Sequence, residues 1–290
     1  MTTRRTVFEI SGPLSTHWVG NGFPVRTLLS PQVRDQATSP FLLLDYAGPR
    51  DFAPTGERRG VEEHPHRGFE TVTIVYRGEL EHRDSAGHQG RLGPGDVQWM
   101  TAAAGIVHEE MHGREFARRG GTFEVVQLWV NLPAARKMDP PRYQEIPGPR
   151  IPEVTLPGGA TARVVAGECA SVKGPARTFT ALNVWDLRVP AGRRADLEIP
   201  DGHNAMVALI RGRLTLDGRE TLAGPQLALL GHDGGRVALE AREDASLLVL
   251  TGQPLEEPIA SYGPFVMNTE AEIRQAFEDY RSGKMGRLAG

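Results

Sequence analysis

His64-Pro65-His66-Arg67-Gly68-Phe69-Glu70-Thr71-Val72-Thr73-Ile74-Val75-Tyr76 carries a strand signal and a metal-ligand signal side by side. Its second half, Thr71 to Tyr76, is almost entirely β-branched or aromatic and reads as the clearest strand in the chain. Its first half sets two imidazoles two residues apart. In an extended chain, side chains at i and i+2 share a face, so His64 and His66 point the same way, with Cα atoms about 6–7 Å apart. Pro65 between them removes a backbone donor, which marks an edge or a strand start.

Outward from this stretch the rhythm is that of short strands. Leu42 to Tyr46, Val97 to Met100, Phe123 to Val130, Val184 to Val189, Ala205 to Ile210 and Leu247 to Leu250 are further apolar runs. The 34 glycines and 22 prolines fall between them as turn punctuation. Strand after strand with almost no helical periodicity argues for a β-sandwich or barrel. Residues 131–160 interrupt the rhythm with prolines at 133, 140, 141, 147, 149, 152 and 157. Such a segment cannot be interior sheet and reads as the connection between two β-domains. The halves resemble each other faintly: Tyr76-Arg77-Gly78-Glu79-Leu80 is echoed by Ile210-Arg211-Gly212-Arg213-Leu214, and Gly93-Pro94 by Gly224-Pro225. Near the end, Thr269 and Glu272 fit a capping box. Ile273, Ala276, Phe277 and Tyr280 follow at the spacing of one helical face, and Gly283 is a plausible stop.

The chain has 290 residues, enough for one large domain or two ordinary ones, and 39% apolar content, enough for a sizeable core. A net charge of −3 argues against broad nucleic-acid or membrane-surface binding. The one basic cluster, Arg114, Arg118 and Arg119, reads as a solvated turn. The single cysteine, Cys169, cannot form an internal disulfide and reads as a small buried hydrophobe. No signal peptide or membrane-spanning run is recognisable, so the expected setting is cytoplasmic.

Six of the nine histidines lie between residues 64 and 112. His108 and Glu110 repeat the i, i+2 relation of His64 and His66. If the two segments face each other inside a barrel, three imidazoles and a carboxylate meet, which is a first-row transition-metal site. His112 has the parity of Glu110 and is a candidate pocket residue. His82 and His88, in a turn-rich stretch, read as solvent-facing; His17, His203 and His232 stand alone.

The first stretch, together with Gly93-Pro94-Gly95-Asp96-Val97-Gln98-Trp99-Met100-Thr101-Ala102 and Gly105-Ile106-Val107-His108-Glu109-Glu110-Met111, resembles the signatures of the pirin family. Gly263-Pro264-Phe265-Val266-Met267-Asn268-Thr269 is similar to the pirin C-terminal domain, so the resemblance runs from about Arg26 to Gly286. It implies an all-β bicupin, two antiparallel jelly-roll barrels with a short C-terminal helix. The expected division is an N-terminal metal-binding domain over 1–135, the proline-rich connection over 136–160, and a C-terminal domain over 161–290 that ends in the helix. The family pattern implies His64, His66, His108 and Glu110 as ligands of one divalent metal. Iron is the expected ion, with nickel, cobalt, manganese, copper and zinc also compatible. The wider cupin pattern puts its glutamate at Glu70, four residues after His66, with the parity expected to face inward. The pirin pattern favours Glu110 and leaves Glu70 beside the site. The second barrel offers no matching ligands, Leu239 standing where a histidine would be expected, and is read as metal-free.

Two functions follow from the resemblance. One is a dioxygenase like quercetin 2,3-dioxygenase, opening a flavonol or another chelating aromatic with O2. Glu110 would then serve as base as well as ligand, and Phe69, Trp99 and Met111 would be pocket walls. The other is an iron-dependent regulatory protein that binds a protein partner and turns nothing over. A purely structural metal is disfavoured because the site has no cysteine.

Overall fold

All seven apolar runs form strands, lengthened at their ends by one to several residues, and they sort into two units. The computed structural model describes residues 3–13, 15–30 and 36–288. One compact unit comprises Ser15–Asp35, Phe41–Gly148 and Glu256–Gly290; the other comprises Met1–Leu14, Gln36–Pro40 and Pro149–Leu255.

The first unit pairs a seven-stranded with a four-stranded antiparallel sheet. The larger runs in the order Arg142–Ile146, Val97–Thr101, Phe69–Arg77, Gly121–Asn131, Phe41–Phe52, Phe23–Leu29, His17–Val19. The smaller runs Gly60–His66, Ile106–His112, Leu80–Asp84, Gln89–Leu92. The second unit repeats the plan with seven strands and four strands. The sequence echo marks equivalent corners: Gly78 and Gly212 each link the large sheet to the small one, at φ of 85° and 89°. Only glycine adopts such a backbone freely. A Cβ at Gly212 would stand 2.2 Å from the Asp244 carbonyl oxygen.

The interiors differ in character. The second unit is filled by one apolar cluster that includes Trp185, Leu187, Leu209, Leu216, Leu239 and Leu247. In the first unit, aromatic and aliphatic packing by Phe23, Phe52, Phe116 and Phe123 fills only part of the interior. The remainder holds buried His66, His82, His108, Glu110, Gln98 and Thr73. Buried polar groups of this density persist only when they hydrogen-bond or hold a ligand.

Three expectations about organisation need correction. The helix forms over Glu270–Arg281 with its Thr269/Glu272 capping box, but it belongs to the first unit. Its apolar face, Ile273 and Ala276, packs with Val107, Phe265, Met267 and Met285. Chain order does not decide where an apolar face finds its partner. Conversely, strand Val7–Ser11 belongs to the second unit, where it extends the large sheet beside Gln226–Leu230. The proline-rich stretch is not a free connection either. It supplies an edge strand to each unit, Arg142–Ile146 on Val97–Thr101 and Glu153–Thr155 on Thr161–Ala166, with its prolines outside both strands. The basic cluster forms a short helix, Arg114–Arg119, whose arginines lie in exposed ion pairs with Glu79, Glu81 and Glu115. Among the described residues no helix is long and apolar enough to cross a membrane.

Candidate metal centre

Strand Gly60–His66 runs antiparallel to Ile106–His112, with His64 directly opposite His108. Strand parity then brings His66 to the same face. The three rings converge, with centroid separations of 4.8 Å for His64–His66, 4.3 Å for His64–His108 and 5.0 Å for His66–His108. One ring nitrogen from each lies within 4.8 Å of the others.

The hydrogen bonds select which nitrogen is free. The Glu62 carbonyl lies 2.7 Å from His64 Nδ1, and the Pro264 carbonyl 3.3 Å from His66 Nδ1. A carbonyl only accepts, so both Nδ1 atoms carry the proton and both Nε2 atoms keep a lone pair. His108 Nε2 is buried and has no hydrogen-bond partner. Burial holds all three imidazoles below their usual pKa, His66 and His108 far below it. Neutral rings with inward lone pairs and an orphaned buried nitrogen are the chemistry a divalent cation requires. The residues fit a metal.

Glu110 follows His108 across a register shift in the strand. Thr73 Oγ1 and Gln98 Nε2 donate to its Oε1 at 3.1 and 3.2 Å, and Gln127 Nε2 donates to its Oε2 at 2.8 Å. Three donors fix the carboxylate. Its nearest companions among candidate ligands are His108 and His82, which form a second trio within the same 4.8 Å limit. The structure therefore brings His64, His66 and His108 together directly, and Glu110 joins through His108.

His82 does not face solvent as expected. It is 3% exposed and sits directly opposite Glu110 on strand Leu80–Asp84. Its Nδ1 lies 3.4 Å from His108 Nδ1 and its Nε2 3.2 Å from Asp84 Oδ2. Burial opposes the Asp84 charge, but hydrogen bonds from His82 and the His88 backbone, with the nearby imidazoles, hold its carboxyl below the usual range. His88 is half-buried and also bonds Asp84. Tyr143 stacks on both rings, at 4.9 Å from His82 and 5.5 Å from His88.

Glu70 does not face inward. Thr73 reaches Glu110, so alternation along Phe69–Arg77 puts Glu70 on the opposite face. The turn at Gly68, with φ of 88°, breaks the parity counted from His66. There the Thr101 hydroxyl donates to Glu70 at 2.7 Å, and burial pushes its carboxyl up to about 7. His112 has the expected parity but lies in the aromatic core against Phe52 and Phe123, its Nε2 2.9 Å from the Gly22 carbonyl. Burial lowers its pKa to about 4. Phe69, Trp99 and Met111 are buried and do not line the cavity beside the histidines.

That cavity has a volume of about 180 Å³, with His64, His66 and Glu110 in its wall. Its apolar lining comes from Phe23, Val25, Ala47, Val61, Val125 and Trp129. Gln127 and Asp45 add polar groups to the wall; Asp45 accepts from Thr27 Oγ1 at 2.6 Å, and burial raises its carboxyl. Sequence reading missed Thr73, Gln98, Gln127 and Asp45. The one available signal was polar residues recurring at strand period within apolar runs, as Thr71 and Thr73 do.

The comparisons with known proteins agree along the length of the chain. The family model described as Pirin matches residues 22–130, and the Pirin C-terminal cupin domain matches 184–286. A Pseudomonas aeruginosa protein provisionally named a quercetin 2,3-dioxygenase is 55% identical over 97% of this chain and 98% of its own. Human pirin is 36% identical over 90% of this chain and 87% of its own. The crystal structure of quercetin 2,3-dioxygenase from Acinetobacter baumannii is 50% identical and superposes with a TM-score of 0.96, covering 99% of this chain and 100% of that one. The chain belongs to the pirin family, with the bicupin fold that its sequence motifs imply.

Proposed function

We propose that this protein holds one divalent transition metal through His64, His66, His108 and Glu110, and acts as a dioxygenase on a flavonol or another oxygen-chelating aromatic. The observation that carries the reading is the trio of neutral imidazoles, His66 and His108 buried and His64 partly so, with an unpartnered His108 Nε2 and with His64 and His66 in the wall of an apolar cavity. Iron is the proposed resident ion, on the family resemblance. When bound, the ion supplies a Lewis acid that lowers the pKa of a chelated hydroxyl and gathers the reactants.

The chain's own groups do the rest. Glu110, held at both oxygens by Thr73, Gln98 and Gln127, is placed to take the hydroxyl proton from a substrate at the cavity floor. The apolar wall from Phe23 to Trp129 excludes water and accepts an aromatic ring. At about 180 Å³ the cavity is smaller than the roughly 300–1,000 Å³ of pockets that enclose a drug-sized ligand. Only the chelating edge of a three-ring flavonol would enter, the remainder lying beyond the mouth.

The same small volume favours a second reading, in which the metal serves regulation through a protein partner and no large substrate is turned over. One experiment separates the two: metal analysis and O2 uptake with quercetin, for wild type and His66→Ala. Metal-dependent uptake lost in the variant supports the enzyme. A fully loaded wild type that consumes no O2 with quercetin or smaller catechol-type chelators would leave the regulatory reading standing.

A further inference from the structure

Of the trio His64, His66 and His108, it is His108 whose Nδ1 faces another imidazole and not a carbonyl. We propose that Asp84 and His82 form a positioning chain that sets the tautomer of His108, keeping its proton on Nδ1 and leaving Nε2 bare. The inference extends the reading of His108 as a metal ligand, but it concerns the resting protein and can be tested without metal.

The argument follows the donors inward. Asp84 accepts at both oxygens: Oδ1 from the Ala86 and His88 backbone N–H groups at 2.9 and 3.0 Å, Oδ2 facing His82 Nε2 at 3.2 Å and His88 Nδ1 at 3.0 Å. A carboxylate has no proton to give, so His82 Nε2 carries one. With that single proton on Nε2, the ring presents a lone pair at Nδ1, 3.4 Å from His108 Nδ1. Of that pair, His108 must be the donor. Its remaining nitrogen, Nε2, is left unprotonated, and it is the buried atom with no partner. The Tyr143 ring, stacked over His82 and His88 within 18° and 15° of parallel, holds the chain in plane. Carboxylate-to-histidine contacts that fix a ligand's tautomer are general at metal sites; here a second imidazole is interposed.

The backbone bonds to Asp84 make the chain's polarity testable. In Asp84→Asn, the Ala86 and His88 N–H groups demand an acceptor at the Oδ1 position, so the amide nitrogen falls at the Oδ2 position and points a donor at His82 Nε2. The chain reverses: His82 donates from Nδ1, and His108 moves its proton to Nε2. A role in packing alone predicts that the near-isosteric Asn is milder than Ala. The chain predicts that Asn is at least as harmful.

Long-range 1H–15N correlation spectra of the metal-free protein, with the rings labelled, read the tautomers directly. Wild type is expected to show His82 protonated on Nε2 and His108 on Nδ1, and Asp84→Asn to show His108 on Nε2. Co(II) titration is expected to give a 10–100-fold weaker Kd for Asp84→Asn, the usual range for such outer contacts. His82→Gln, which can still accept from His108 and donate to Asp84, should recover most of the affinity lost in His82→Leu. Wild-type His108 protonated on Nε2 overturns the inference, as does an Asp84→Asn protein whose His108 stays on Nδ1. A hyperfine-shifted ring N–H assigned to His82 in the Co(II) protein, marking it as a direct ligand, also overturns it. A wild type that binds no Co(II) while showing the expected tautomers sinks the metal reading and leaves the chain supported.

Discussion

Glu70 and Glu110 are both almost fully buried, yet their surroundings assign them different work. Three side-chain donors hold Glu110 next to the imidazoles and leave it lone-pair capacity, whereas Glu70 accepts from the Thr101 hydroxyl at 2.7 Å in a setting where burial dominates. Burial raises the Glu70 carboxyl from 4.5 to about 7, so the folded chain prefers it protonated. A carboxyl raised on folding lends stability that is complete below the unfolded value near 4.5 and is lost as pH rises through about 7. The wild type should therefore lose on the order of 3 kcal/mol relative to Glu70→Gln between those limits. Urea unfolding of both proteins at pH 5 and pH 8 checks this; a constant difference refutes it. For the metal, Glu110→Ala should lower occupancy by at least tenfold, and Glu70→Ala should keep it. Metal analysis after dialysis against equal Co(II) decides, and the reverse pattern would falsify the assignment of Glu110. Parity counted along the chain brings the His64 and His66 rings together because both lie on strand Gly60–His66, and His108 meets them through the pairing of that strand with Ile106–His112, where a register shift separates it from Glu110. Parity failed for Glu70 because the Gly68 turn resets the alternation, while the turn-rich neighbourhood misled for His82, whose burial depends on the strand opposite.

At the scale of elements, the site hangs on the turn Arg67–Gly68, and that turn is held from afar. Arg67 Nη1 bonds Asp279 Oδ2 at 2.9 Å and its Nε bonds the Ala104 carbonyl at 2.6 Å. Lys137 Nζ spends its three donors on the Gly68 carbonyl, Asn131 Oδ1 and the Val266 carbonyl. Burial lowers the Lys137 pKa to about 7. A Cβ at Gly68 would stand 1.9 Å from the Val266 carbonyl oxygen, on a backbone already at positive φ. Gly68→Ala should thus displace the turn, cost roughly 2–4 kcal/mol, and reduce metal content because His66 moves with it. Thr269→Ala removes one helix cap and should cost only about 1 kcal/mol, with metal content unchanged. Thermal unfolding and metal analysis of the two variants test the contrast, and equal metal loss in both would defeat it. The cap was legible from the Thr269/Glu272 spacing alone. The clamp on Arg67 was not, since its partner lies 212 residues away.

On the scale of the whole molecule, each terminus completes the unit encoded by the opposite half of the chain. Strand Val7–Ser11 extends the large sheet of the second unit, and Arg5 there donates to the carbonyls of Pro200, His203 and Gly234. Residues 256–290 bring the first unit the Pro264 carbonyl on His66, the Asp279 partner of Arg67, and buried Phe265 and Met267. The repeated corner glycines and the resemblance to a bicupin family made two barrels legible, but nothing in residue order could say that the ends cross over. Co(II) titration gives that exchange a readout. A chain ending at Leu255 should lose most of its Co(II) affinity, although none of the four proposed ligands is removed. A chain lacking residues 1–11 should unfold at lower temperature while its Co(II) Kd stays within about twofold of wild type, as expected for sites that share no partners. If instead the N-terminal deletion weakened Co(II) binding as strongly as the C-terminal one, the metal centre would depend on the second unit's integrity, and the assignment of each terminus to a single unit would fail.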